Sequence, residues 1–87
     1  MKKKILKRIL EWIQDNNEKL IARLHRNLEF NTTLLELETY EYQHFNRGSR
    51  EEIEERISSI VKNEIALQKG IALRLRIKEL LAKNELA

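Results

Sequence analysis

The chain of 87 residues contains no cysteine, no proline and only two glycines. Without cysteine it can form neither a disulfide framework nor a cysteine zinc site, and it lacks a thiol nucleophile. No apolar run approaches the ~18 residues of a transmembrane helix, whereas a hydrophobic content of 41% is too high for a disordered chain. The composition therefore predicts a single small domain over residues 1–87.

The scarcity of proline and glycine also favours long helices, because these residues are the usual breaks between elements. The clearest break follows Asn46, where Gly48 can take the left-handed conformation that closes a helix. Ser49 and Glu52 then match the Ser-x-x-Glu capping box that starts a new helix. Acidic residues crowd the first turns after Ser49, which suits the positive end of a helix dipole.

These signals predict an all-α fold with two long antiparallel helices, at about 17–46 and 50–85, forming a hairpin. A basic amphipathic helix is expected at about 3–14, and the second segment is either a separate helix or its continuation. Residues 35–42 and 71–78 alternate apolar and polar residues, as in strands. The helical interpretation is favoured because a lone pair of strands is marginal in water.

The apolar residues extend beyond a single helix–helix seam. The predicted seam consists of Leu6, Ile9, Ile13, Leu20, Leu24, Leu28, Leu35, Tyr42 and Phe45 before the turn, and Ile53, Ile57, Ile60, Leu67, Ile71 and Leu75 after it. A helix that is apolar on two faces normally packs between two neighbours. We therefore expect a homodimer that forms a helical, coiled-coil-like bundle, with a compact monomer as the alternative.

The residues off that seam are the candidates for a protein interface: Leu37, Tyr40, His44, Leu73, Ile77 and Leu80. Tyr40 beside Leu37, ringed by acids, suits an interface anchor. A dimer partner that covers Tyr40 explains the same pattern equally well.

The formal net charge of +3 is the sum of segments of the chain with opposite net charge. Residues 1–26 have eight bases and three acids, residues 27–61 three bases and eight acids, and residues 62–87 six bases and three acids. In a hairpin the open end therefore totals +8 and the turn end −5. The candidates for anion binding lie at the open end: Lys2, Lys3, Lys4, Lys7, Arg8, Arg74, Arg76 and Lys78.

Three functions fit this bipolar rod. The first is a non-catalytic, cytoplasmic regulator or adaptor of bacterial, phage or plasmid origin that binds a protein. The second is a small nucleic-acid-binding protein that uses the basic end, although no recognised binding motif is present. The third is a membrane-surface protein of the immunity type, using the N-terminal helix. No catalytic motif, cofactor motif or metal-ligand spacing occurs, so we expect neither an enzyme nor a cofactor.

Overall fold

The computed structural model describes residues 2–86 and consists of two α-helices. Helix α1 spans Lys2–Phe45 and helix α2 spans Arg50–Leu86, and they pack side by side as a rod of 65 × 14 × 14 Å. At the open end the Lys3 ammonium donates to the Glu85 carbonyl (3.2 Å), and the Asn84 amide donates to the Lys3 carbonyl (3.3 Å). The predicted antiparallel hairpin is confirmed.

Helix α1 is continuous, so the segment predicted as a helix at residues 3–14 is its first part, and the segment that follows is the continuation rather than a separate helix. Two asparagine side chains within α1 form hydrogen bonds with backbone carbonyls one turn earlier in the helix. The side-chain amides of Asn16 and Asn31 donate to the carbonyls of Trp12 (3.1 Å) and Asn27 (2.9 Å). With no proline or glycine before residue 48, nothing interrupts the backbone hydrogen bonds.

Both segments with strand-like alternation, residues 35–42 and 71–78, are helical, and no strand occurs in residues 2–86. Each segment has helix on both sides within α1 or α2. The cooperativity of the long helices therefore overrides the local alternation.

The turn lies where it was expected, but Asn46 shares the left-handed conformation with Gly48. Asn46 has φ 53° and Gly48 has φ 80°. Asparagine tolerates this region better than most residues. Between them, the Arg47 amide donates to the Glu41 carbonyl in the last turn of α1 (3.2 Å). The Glu52 amide donates to the Ser49 hydroxyl (3.1 Å), so the hydroxyl half of the predicted capping box is present.

The seam between the helices differs from the predicted one. Its buried and half-buried positions recur every three or four residues, as in a coiled coil: Leu10, Gln14, Asn17, Ile21, Leu24, Leu28, Asn31, Leu35 and Glu38 in α1, and Ile53, Arg56, Ile60, Asn63, Leu67, Gly70, Arg74, Ile77 and Leu81 in α2. Ile77, predicted as a surface anchor, is the most buried of the apolar side chains, with 2% exposure. Six predicted seam residues are exposed instead: Leu6, Ile9, Leu20, Ile57, Ile71 and Leu75.

Gly70 explains the position of this seam, because it lets the two helices approach closely. A Cβ atom at Gly70 would lie 3.1 Å from Cγ1 of Ile21, closer than ordinary van der Waals contact. The buried Asn17 amide donates to the Gly70 carbonyl at 3.1 Å. A glycine and an asparagine carry no apolar signal, so hydropathy periodicity places the seam on another face.

Replacing Gly70 with leucine should therefore separate the helices and lower the free energy of unfolding by about 2 kcal/mol, the usual cost of overpacking. Ala72→Leu is the matched control, since Ala72 is exposed on the same helix. Urea denaturation followed by circular dichroism measures both. Equal stability of the two variants would show that the helices do not meet at Gly70.

Candidate protein interface

Most large apolar side chains of this hairpin lie on its surface. Within residues 2–86 only four apolar side chains are buried: Leu10, Ile21, Leu24 and Ile77. Seventeen large hydrophobic side chains are exposed. Scattered exposed apolar residues are normal, but contiguous ones mark interaction sites. The arrangement of the exposed residues therefore decides whether they form an interface.

The first set, here the α1 stripe, runs along one flank of α1 and combines exposed side chains with the half-buried Ile13 and Leu34. It consists of Leu6, Ile9, Ile13, Leu20, Phe30, Leu34 and Leu37. Their spacing follows the same three-and-four rhythm as the seam, so they lie on one helix face beside it. Phe30 is 65% exposed, so the hairpin leaves this large ring facing solvent.

Helix α2 extends this face near the open end. One shallow groove is lined by Trp12, Ile13, Leu20 and Leu73, and a second by Leu6, Leu10 and Leu80. Trp12 is 69% exposed at the edge of the first groove. The α1 stripe is thus part of a two-helix apolar surface.

A second set, here the α2 stripe, lies on α2 and consists of Ile57, Val61, Ile71 and Leu75. All four are exposed, and they too are spaced for one helix face. Glu64 and Gln68 occupy the intervening positions of the same rhythm. The α2 stripe is therefore an apolar face with a carboxylate near its middle.

The seam contains a polar cluster near the turn. The Arg56 guanidinium donates to Oε1 of Glu38 at 3.0 and 2.7 Å and to the side-chain oxygen of Asn31 at 2.9 Å. The Arg56 and Glu38 side chains are less than one-third exposed. Polar groups at seam positions restrict register and partner choice at some cost in stability.

A second ion pair crosses the helices nearer the open end. Arg74 donates two hydrogen bonds to the Glu18 carboxylate, at 2.7 and 2.9 Å. These bonds lower the pKa of Glu18 below its ordinary value; desolvation opposes the shift, and the charges of Arg74 and Lys78 add to it. Such a bidentate geometry is the strongest form of this pair.

The aromatic residues near the turn form a surface cluster rather than part of the seam. The Tyr40 ring centroid lies 4.3 Å from that of His44 and 6.1 Å from that of Phe45. The Arg47 guanidinium lies 5.6 Å from the Phe45 ring centroid. Tyr42 and Phe45, predicted as seam residues, are exposed. This cluster extends the apolar surface to the acidic end of the rod.

The predicted interface residues therefore have three different environments. The exposed ones are Leu37, Tyr40, His44 and Leu73. Leu80 is half-buried beside the second groove. Ile77 is buried between the helices, so the hairpin itself uses it. Trp12 and Phe30, which were not among the predicted interface residues, are exposed on the same face.

The predicted anion-binding residues are partly engaged with acids. Arg74 binds Glu18, and Arg76 binds Glu79 at 3.1 Å. The remaining ones are exposed, and most lie in the first two turns of α1: Lys2, Lys3, Lys4, Lys7, Arg8 and Lys78. The basic end is therefore a diffuse surface.

The described residues include no group of three or more histidine, cysteine or acidic side chains placed to hold a metal ion. Neither helix, over residues 2–86, has a stretch apolar enough to cross a bilayer. Comparison of the chain with models of protein families, with curated proteins and with solved structures finds no match.

The Arg56–Glu38 pair generates a stability prediction. Glu38→Leu should lower the free energy of unfolding by about 1.5 kcal/mol, because it leaves a partly buried guanidinium without its carboxylate. The double variant Glu38→Leu/Arg56→Leu should recover most of that loss. Chemical denaturation measures both, with Glu54→Leu in the exposed Arg50–Glu54 pair as the control. A double variant as unstable as the single one would contradict a role for the charges.

The Glu18–Arg74 pair generates a pH dependence. Since folding lowers the Glu18 pKa, the pair stabilises the fold above the ordinary value of 4.5, and this contribution is lost as the pH falls through the lowered pKa. The Glu18→Gln variant should therefore lose less stability than the wild type when the pH is lowered from about 6 to about 3. Thermal melts across this range measure the effect. Glu11→Gln, which alters an exposed carboxylate of the same helix, should retain the wild-type slope.

Proposed function

We propose that this protein is a non-catalytic, protein-binding adaptor or regulator that works through the apolar faces of its helical hairpin. The observation that carries the proposal is that the seam is rich in polar residues, whereas the α1 stripe and the α2 stripe face outward. A hairpin of two helices buries too little apolar surface to be very stable as a monomer. We therefore expect contacts made by the exposed faces both to stabilise the fold and to bind the partner.

The shape of these faces favours helical partners. Both stripes run along a helix at the spacing that an amphipathic helix presents, so a partner helix can lie alongside with its own apolar stripe inward. The grooves are shallow and elongated, unlike the concave pockets that hold small molecules. Protein–protein docking is thus the best use of this surface.

The two stripes differ in the occupant that we assign to each. We assign the α1 stripe to a second copy of the chain, which completes a four-helix bundle. We assign the α2 stripe to an amphipathic helix of another protein with a basic residue opposite Glu64. The acidic turn end, with Glu54 one helical turn from Ile57, favours a basic partner helix.

Substitution of the α2 stripe tests this assignment. A tagged Ile57→Glu/Val61→Glu variant should lose a protein that the wild type captures from its native host, because two carboxylates would be buried in the contact. Ser58→Glu/Ala72→Glu is the control, since it adds the same charge at exposed positions outside the stripe. Mass spectrometry identifies the captured protein.

Nuclease and detergent treatment of the same captures distinguish the other functions. Capture that survives both treatments and fails only in the stripe variant supports protein binding. Capture of nucleic acid or anionic vesicles that needs Lys2, Lys4 and Lys7, and no stripe residue, would contradict the proposal in favour of an anionic partner.

A further inference from the structure

The α1 stripe has a nearly palindromic pattern. Its rhythm includes three polar positions, Asn16, Arg23 and Asn27, among the seven apolar ones. Read from either end, the stripe begins with three apolar positions and an asparagine. Leu20 and Arg23 form its centre. The palindrome pairs positions 6 with 37, 9 with 34, 13 with 30, 16 with 27 and 20 with 23.

Such a pattern suits a face that pairs with its own reversed copy. In a coiled coil the seam positions alternate between two types, a and d, and each layer of an antiparallel pair joins an a position of one helix to a d position of the other. Every palindromic pair of the α1 stripe, such as 6 with 37, joins an a position to a d position. An antiparallel α1–α1 contact in this register therefore stacks apolar on apolar in its outer layers and amide on amide in the next.

The charge distribution selects the antiparallel orientation over the parallel one. A parallel pair of hairpins would place two open ends of +8 side by side, and also two turn ends of −5. The antiparallel pair places each basic end on an acidic end, which favours association. It also avoids placing Arg23 directly against its own copy.

We propose that a second copy of this chain docks antiparallel on the α1 stripe, with the twofold axis passing between residues 21 and 22. Leu6 then packs on Leu37, Ile9 on Leu34 and Ile13 on Phe30 of the second copy. Leu73 and Leu80 enlarge the contact, since they line the same grooves. The inference deepens the proposed self-assembly and rests on it.

Neighbouring registers match less well. A shift of one heptad in one direction pairs Ile9 with Glu41, and a shift in the other direction pairs Ile9 with Asn27. Each shift buries polar groups against apolar side chains at several layers, which costs free energy at each one. The pattern thus specifies one register rather than a sliding contact.

The dimensions of the rod suit a stable contact in this register. The axis lies close to the middle of α1, so the hairpins overlap over almost their full 65 Å. The paired positions from Leu6 to Leu37 span about 45 Å of helix, so the contact includes most of α1. Charge, pattern and length therefore agree on the same occupant.

The centre of the contact is its weakest part. Lys19, Arg23 and Arg26 of both copies lie near the axis, and they line one surface region together with Leu20. Like charges there oppose association at low salt. Arg23→Leu should tighten the dimer by about tenfold, since it replaces a base opposite Leu20 with an apolar side chain.

Because the chain has no cysteine, single cysteines can report the register. A mixture of Leu6→Cys and Leu37→Cys chains should form a mixed disulfide under mild oxidation. Leu6→Cys alone should not, because its two copies would be about 45 Å apart at ~1.5 Å per residue. Mixtures of Leu6→Cys with Phe30→Cys and with His44→Cys test the two shifted registers.

Sedimentation equilibrium of the wild type, together with the cross-links, distinguishes failure of the proposed dimer contact from failure of the proposed protein-binding function. A dimer with the Leu6–Leu37 cross-link supports the proposed contact. A dimer in which Leu6→Cys links to itself, or to a shifted register, overturns the register but leaves the protein-binding function standing. A monomer at about 100 µM overturns self-assembly; the α2-stripe captures then decide the function separately.

Discussion

The close approach of the two helices at Gly70 is the constraint on which the other features of this hairpin depend. With no side chain there, Ile21 and Asn17 of α1 lie directly against the α2 backbone. This contact fixes the rotation of each helix about its own axis. Once the rotation is fixed, every other side chain is assigned to the seam or to the surface.

That rotation turns many apolar residues outward and brings polar ones inward. The Arg56–Glu38–Asn31 cluster and the buried Asn17 occupy positions where leucines would give a more stable hairpin. The side-chain oxygen of Asn17 and Oε2 of Glu38 have no hydrogen-bond partner within residues 2–86. These polar groups therefore lower the apolar content of the seam and restrict its register, which supports the proposed association through the outward stripes.

Much of the fold follows from the sequence, because local signals determine it. The turn needs only Asn46, Gly48, Ser49 and their neighbours, and the long helices follow from the absence of breakers. The seam cannot be obtained in the same way. Hydropathy periodicity selects the most apolar face, and in α2 that face includes Ile57, Ile71 and Leu75, which the hairpin leaves exposed. The sequence therefore predicts that a second apolar face exists, but it does not predict which face is buried.

The two outward stripes differ in extent rather than in reversal symmetry. The α2 stripe also has the same order of apolar and polar positions from either end, since Glu64 and Gln68 lie between two apolar residues on each side. The α1 stripe has seven apolar positions and is widened by Leu73 and Leu80 of α2, whereas the α2 stripe has four apolar positions around a carboxylate. Because the free energy gained on association rises with the apolar area removed from water, the larger face is the better one for a second copy. The smaller face, with Glu64 near its middle, suits a partner helix that brings a basic residue.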